Sequence, residues 1–204
     1  MKNLQNITKY FYPYRILDIG AHFGEFYSIC KHYYPESYYF LVEGNKNCEN
    51  YLKNFYVDYS IELLSNEIKD INFYINKKDL VSTGCSYYKE CNTEHFVPEN
   101  LIIEHRKTNT LDNMFESDSI FDLIKMDTQG SELDIIKGGV NLIKHTKGLL
   151  LECSVNNCNE GAPLYSDVKE YLKTINFQEK EILDEHYYKN EIIQIDVLFT
   201  KDTI

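Results

Sequence analysis

Short apolar runs alternate along the chain with longer stretches whose apolar positions recur every three or four residues, the pattern of a sheet whose strands are joined by helices. Residues 15–19 (Arg-Ile-Leu-Asp-Ile) read as a first buried strand that stops at Gly20, and 24–33 has helical spacing. Residues 38–42 read as a second strand running into Glu43, and Asn45 suits the N-cap of a helix over 46–55. A third strand is expected at 59–64, then an inserted β element at 72–76, a long polar loop over 79–100 with at most a short helix, and a strand at 101–105. Thr110 to Phe115 reads as a capped helical turn, 121–126 as a central strand ending at Asp127, and Ser131 to His145 as one helix carrying Leu133, Ile136, Val140 and Ile143. A strand at 148–151 near Glu152, a helix at 164–175 and an antiparallel pair at 177–183 and 192–200, joined by a loop over Asp184–Asn190, complete the order βαβαβ, insertion, βαβαββ. Parallel strands buried on both faces predict a Rossmann-like α/β fold, a mostly parallel twisted sheet with helices on both faces and a closing antiparallel hairpin.

No repeat, low-complexity tract or Pro/Ser linker divides the 204 residues, so a single domain over 1–204 is expected, with 1–13 as an N-terminal extension and 72–105 as an inserted β element and active-site loop. A 43% hydrophobic content supplies a core. No apolar run approaches the roughly 18 residues of a membrane span. Met1 to Pro13 lacks the basic start and apolar stretch of a signal peptide, which gives the expectation of a cytoplasmic protein. A net charge of −11, with Lys and Arg scattered among acids, argues against a nucleic-acid partner. The six Cys (30, 48, 85, 91, 153 and 158) form no Cys-x-x-Cys pair and read as reduced structural thiols.

Candidate chemistry gathers at predicted strand ends. Asp18-Ile-Gly-Ala-His-Phe-Gly24 joins a strand to a helix, and its glycines permit a tight turn close to a ligand. A nicotinamide enzyme would show G-x-G-x-x-G around a pyrophosphate. This loop reads G-x-x-x-G, and Asp18 would repel a pyrophosphate while suiting a ligand with an ammonium and a sulfonium, as in S-adenosylmethionine. Glu43, 23 residues after Gly20, suits the two hydroxyls of an adenosine ribose in either cofactor class. Ile124-Lys-Met-Asp127-Thr-Gln-Gly130-Ser-Glu132 adds a lysine and two acids where a buried strand meets a helix. Asp18, Glu43, Asp127 and Glu152 thus share the carboxyl edge of the sheet, although Ser131 and Glu132 would also suit a helix start by dipole alone.

These motifs together resemble the FkbM-type methyltransferases, a branch of the class I S-adenosylmethionine enzymes. The resemblance rests on Asp18 to Gly24, Thr110-Leu-Asp112, Ile124 to Glu132, Ile136-Lys-Gly138 and Leu151-Glu152, and runs over about residues 15–153. His22 stands where the family usually has Asn, and Gln129 where an acid is common. The resemblance implies that Asp18 and the backbone of Gly20, Ala21, His22, Phe23 and Gly24 contact the methionyl part of the cofactor. It also implies that Glu43, with Gly44 behind it, holds the ribose, that Ser65 and Asn66 lie by the adenine, and that the loop around Ser82–Tyr88 borders the active site.

The expected reaction is O-methylation of a sugar, glycan or related small metabolite. Asp127 is the leading base and a further cofactor contact, with His22, His105 and Glu152 as lesser candidates for the base. Lys125 is expected to pair with Glu152 or Glu132 and hold the geometry. No metal ligand is assigned, although converging acids leave room for a divalent ion, and a homodimer is left open. The competing readings are a nicotinamide-dependent oxidoreductase and a non-catalytic cofactor-binding partner subunit.

Overall fold

The computed structural model describes residues 3–91 and 97–201; residues 92–96, which belong to the expected long loop, lie outside the described residues. A 3-10 helix over Leu4–Lys9 precedes β1 (Arg15–Ile19), α1 (Glu25–Tyr33) and β2 (Tyr38–Glu43). There follow α2 (Glu49–Leu52), β3 (Asp58–Ile61), β4 (Asp70–Asn76), β5 (Leu101–Lys107), α3 (Leu111–Met114) and β6 (Leu123–Met126). The remaining elements are α4 (Glu132–Lys137), α5 (Val140–Ile143), β7 (Gly148–Ser154), α6 (Tyr165–Thr174), β8 (Phe177–Tyr188) and β9 (Glu191–Lys201).

Seven strands form one sheet in the order β3-β2-β1-β6-β7-β9-β8, and β4 and β5 pair antiparallel as a separate ribbon. The neighbours β3, β2, β1, β6 and β7 run parallel, while β9 is antiparallel to both β7 and β8. Strand order reverses between β1 and β6, and in such sheets the crevice outside the carboxyl ends at that reversal is where ligands bind. Alternate residues feed two cores. Leu17, Ile19, Ile124, Leu149, Leu151 and Val197 pack with Ile136 and Leu172 on one face. On the other face Ile16, Leu123, Leu150 and Leu198 pack with Phe26, Leu4 and Ile7, so the N-terminal extension is part of the fold.

Three expectations change. The helix expected at 131–145 is broken into α4 and α5 at Gly138-Gly139, because a Cβ on Gly138 would lie 2.1 Å from the carbonyl oxygen of Ser65. The carboxylate of Asp112 then caps the new start, accepting from the amides of Asn141 (3.1 Å) and Leu142 (3.0 Å). The helix expected at 46–55 shrinks to a 3-10 turn over Lys46–Cys48, whose cap is Asn45, followed by α2. The loop expected over 184–190 is strand: β8 and β9 continue to a tight turn in which Lys189 (φ 47°) and Asn190 (φ 67°) are both left-handed, as a two-residue type I′ turn requires. That extension carries His186 toward the carboxyl edge of the sheet.

Gly20 (φ 76°) is the position where glycine is obligatory, since a Cβ there would lie 1.8 Å from the carbonyl oxygen of Asp127. Gly161 has a similar φ of 75°, with nothing among the described residues within 4 Å of the same added atom. Gly20→Ala should therefore lower unfolding stability by about 3 kcal/mol or more, against about 1 kcal/mol for Gly161→Ala. Urea unfolding of both variants checks this, and equal losses would mean that the close approach to Asp127 is not rigid.

Candidate active site

The carboxyl edge carries a row of charge on one face of the sheet. Asp18 lies beside Lys125 in the β1–β6 register, and Lys125 beside Leu150 in the β6–β7 register. Two residues further along come Asp127 and Glu152, on the same face by alternation, and Glu152 faces Asp196 of β9. Lys125 is 3% exposed and Asp18 0%. The Lys125 Nζ is 3.3 Å from Asp18 Oδ1 and 3.4 Å from Asp127 Oδ2, and it donates to the carbonyl oxygen of Gly20 at 3.1 Å. It also sits 5.6 Å from the centre of the Phe26 ring. The expected pairing of Lys125 with Glu152 or Glu132 is thus replaced by pairing with Asp18 and Asp127, because register puts Asp18 directly alongside. Burial works against the ammonium, yet Asp18 and then Asp127 outweigh it and hold its pKa above the usual lysine value.

Burial raises the pKa of Asp18 despite that lysine, and neither of its oxygens has a well-formed hydrogen bond among the described residues. Burial also pushes Asp127 upward, but Lys125, Glu152 and Gln129 together bring it below the ordinary value. Glu152 goes the other way, raised first by burial and then by the charge of Asp127. The two titrate as a pair, with Asp127 the more readily ionised member. Gln129, in a left-handed conformation (φ 56°), ties them together: its Nε2 donates to Asp127 Oδ1 at 3.1 Å and to Glu152 Oε2 at 2.7 Å.

Two clefts meet at Asp127. The first is bordered by Gly20, His22, Glu43, Gly44 and Asn45, with Ile19, Val42, Leu63, Leu64, Phe73 and Ile135 as its apolar wall. Glu43, 8% exposed, is pinned through both oxygens: Oε2 accepts from the His22 amide at 2.8 Å and Oε1 from the Asn45 amide at 2.6 Å. Burial raises its pKa, and the two amides oppose that. The second cleft is bordered by Asp127, Gln129, Glu152, Asn156, Asn159, His186, Tyr188 and Gln194. The 79–91 loop lies over the junction, with Ser82 and Thr83 bordering both clefts. It is latched by His22 Nε2 at 2.7 Å from the carbonyl oxygen of Val81 and by Asn45 Nδ2 donating to that of Leu80 at 2.7 Å. His22, whose φ is 51°, is therefore the residue on which this loop rests.

Several expected cofactor contacts sit behind the cleft wall. Ala21 packs into a small core with Leu41 and Leu52, Phe23 stacks between His22 (3.8 Å) and Tyr51 (3.9 Å), and Gly24 caps α1. Ser65 is fully buried and bonded to Asn66 and Tyr87, and neither Ser65 nor Asn66 borders the first cleft, whereas Glu62, Leu63 and Leu64 just before them do. Asp18 lies beneath the cleft. His105 is on the separate ribbon, paired with Asn72 and outside both clefts.

A buried carboxylate at the end of β2, beside an apolar slot and a glycine turn at the sheet reversal, fits an adenosine. The chain matches the methyltransferase FkbM domain over residues 18–180. It belongs to that family. The FkbM assignment sets aside the oxidoreductase reading. No curated protein matches the chain in sequence. Among solved structures, the fold is similar to Sp1610 of Streptococcus pneumoniae, named as a candidate tRNA (m1A22) methyltransferase, at TM-score 0.52 and 12% identity over 93% of this chain. It is likewise similar to the plantazolicin methyltransferase BpumL in complex with S-adenosylhomocysteine, at TM-score 0.52 and 9% identity over 97% of this chain and 79% of that one. A third similar fold is an S-adenosylmethionine-dependent methyltransferase of Clostridium acetobutylicum, at TM-score 0.50 and 10% identity over 92% of this chain and 83% of that one. At such identities the likeness is one of fold, and this chain spans 64% of the length of Sp1610.

Sequence reading missed His186, Gln194 and Asp196. A signal was present in Gln194-Ile-Asp196, two polar residues at alternate positions of an otherwise apolar strand, but the hairpin loop had been expected to hold His186 away from the sheet.

Glu132 closes the Ile124–Glu132 motif and has a local task, accepting from the amides of Thr128 (2.7 Å) and Gly130 (3.1 Å). Burial raises its pKa to about 7. The folded chain then holds a proton that the unfolded chain has released, so this residue lowers stability as pH rises from the ordinary carboxylate value to about 7 and adds nothing further above it. Glu132→Gln should lose less stability between pH 5 and pH 8 than the parent, as measured by urea unfolding at each pH. An identical pH dependence would show that Glu132 is not titrating there.

Proposed function

We propose that this FkbM-family chain is an S-adenosylmethionine-dependent O-methyltransferase acting on an uncharged polyhydroxylated acceptor such as a sugar or glycan. The observation that carries the acceptor class is the lining of the second cleft, in which carboxylates (Asp127, Glu152), amides (Asn156, Asn159, Gln129, Gln194) and Tyr188 meet around Asp127. Such a wall accepts and donates hydrogen bonds to hydroxyls, while its acids disfavour phosphate groups.

The cofactor fits the first cleft. Glu43 would take the ribose hydroxyls, Leu63, Leu64 and Ile135 would flank the base, and the Gly20–His22 backbone would meet the methionyl end, with Asp18 acting on that end from beneath. S-adenosylmethionine, when bound, supplies an electrophilic methyl whose bond to sulfur breaks as the acceptor oxygen bonds to it, the electron pair staying on sulfur. Everything else is done by the chain. The His22 latch would hold the 79–91 loop, whose Ser82 and Thr83 border both clefts, over the junction. Asp127, ionised and fixed by Lys125 and Gln129, accepts a hydrogen bond from the acceptor hydroxyl and orients its lone pair. The hydroxyl proton passes to the ionised Asp127 as the bond from oxygen to methyl forms. Such alignment supplies roughly 7–11 kcal/mol of the barrier, and a placed base about 10²–10⁴-fold in rate.

In a thermal-shift titration S-adenosylhomocysteine should raise the midpoint and NAD should not, and Glu43→Gln should weaken the former. With labelled S-adenosylmethionine and a panel of neutral sugars and glycans, Asp127→Asn should lower kcat by about 10²–10⁴-fold. Label appearing only in RNA or protein would overturn the acceptor class, and a cofactor-binding chain that labels nothing would favour the partner-subunit reading.

A further inference from the structure

Beyond methyl transfer, we propose that Glu152, His186 and Asp196 form a divalent-cation site in the wall of the acceptor cleft, suited to Mn²⁺. The three residues come from adjacent strands β7, β8 and β9, and one ligand atom from each lies within 4.8 Å of the other two. His186 Nε2 is 3.1 Å from Asp196 Oδ2 and 3.7 Å from Glu152 Oε1. Ligand atoms each about 2.0–2.2 Å from one ion are separated by such distances without backbone movement. Glu152 is prepared for this, because its other oxygen, Oε2, is held by Gln129 (2.7 Å) and Gln194 (2.9 Å), leaving Oε1 turned to His186. Asp196 is 2% exposed, and its contact with His186 is the bond that aims the ring. One imidazole with two carboxylates is a mixed set that suits a first-row divalent ion, of which Mn²⁺ is the paramagnetic probe.

Charge points the same way. Asp18, Asp127, Glu152 and Asp196 line the row, against Lys125, which is already engaged by the first two, and His186. A second sign of a bound group is independent of these acids. Asn159, 1% exposed, borders the same cleft as Glu152 and His186, and its Oδ1 is a buried acceptor with no partner among the described residues. A hydroxyl-bearing acceptor in the cleft would place one hydroxyl in the coordination shell, and a turn of the Asn159 side chain would bring its Oδ1 to another. The other occupant of the same geometry is a proton on His186, bridging the two carboxylates as an ion pair.

Electron paramagnetic resonance of Mn²⁺ added to the metal-stripped full chain separates the two, and it needs neither cofactor nor acceptor, so its outcome is independent of the methyl-transfer reading. The wild type should remove about one Mn²⁺ per chain from the free signal. His186→Ala, whose side chain is 38% exposed and whose loss leaves the core intact, should weaken that binding at least tenfold, as should Asp196→Asn, while Glu116→Gln, an exposed acid outside the cleft, should not. Absence of binding by the wild type, or equal binding by His186→Ala with circular dichroism unchanged, would overturn the site and leave the ion pair in its place.

Discussion

Lys125 is a cation placed where a sheet normally has only apolar side chains, and the carboxyl edge is organised around it. Its ammonium reaches Asp18 in β1, the carbonyl oxygen of Gly20 in the glycine turn and Asp127 beyond its own strand. One group thereby ties the glycine turn to the proposed acceptor cleft. A buried charge is costly unless compensated, and removing one partner of such a pair leaves the other exposed to the full desolvation cost. The arrangement therefore tolerates few substitutions, and it keeps Asp127 ionised at the junction while the neighbouring Glu152 holds the higher pKa. Burial and the charge of Asp127 raise the pKa of Glu152, while Lys125 leads the groups that lower that of Asp127.

The backbone serves the same contact. The carbonyl of Asp127 comes so close to Gly20 that no side chain fits, which lets Lys125 bridge the two strands at the sheet's reversal. The turn then delivers the His22 amide to Glu43 and the His22 ring to the loop over the clefts. His22 is a departure from its family's usual asparagine, and its longer reach is what allows that second contact.

Much of this was legible in the sequence because it is local. The parallel strands announce themselves as apolar runs; Glu43 and Asp127 fall at the ends of theirs, where polarity returns, and Asp18 and Glu152 lie within two residues of the ends of theirs. Thr110 caps α3 as its sequence suggests, its side chain accepting from the Asn113 amide. What was not legible depends on contacts between distant segments. Nothing near Gly138 announces that the carbonyl of Ser65 will press against it, so α4 and α5 read as one helix. Ser65 and Asn66 follow the right strand, yet that strand ends at Ile61 and the residues facing the cleft come just before them. The partner of Lys125 was misjudged because nearness in sequence favours Glu132, while strand register favours Asp18. His186 was missed because a polar stretch reads as loop, whereas paired left-handed residues at 189 and 190 let the hairpin run on.

The dependence of the edge on Lys125 is tested most directly by a double-mutant cycle in unfolding free energy, using Lys125→Met, Asp18→Asn and the double variant. Lys125→Met alone should cost about 3–5 kcal/mol, since it strands buried carboxylates. Neutralising Asp18 as well should recover at least about 1 kcal/mol of that loss, the signature of directly coupled residues. Single losses that simply add, to within about 0.5 kcal/mol, would contradict the account, because they would mean that Lys125 and Asp18 stabilise the edge independently of each other.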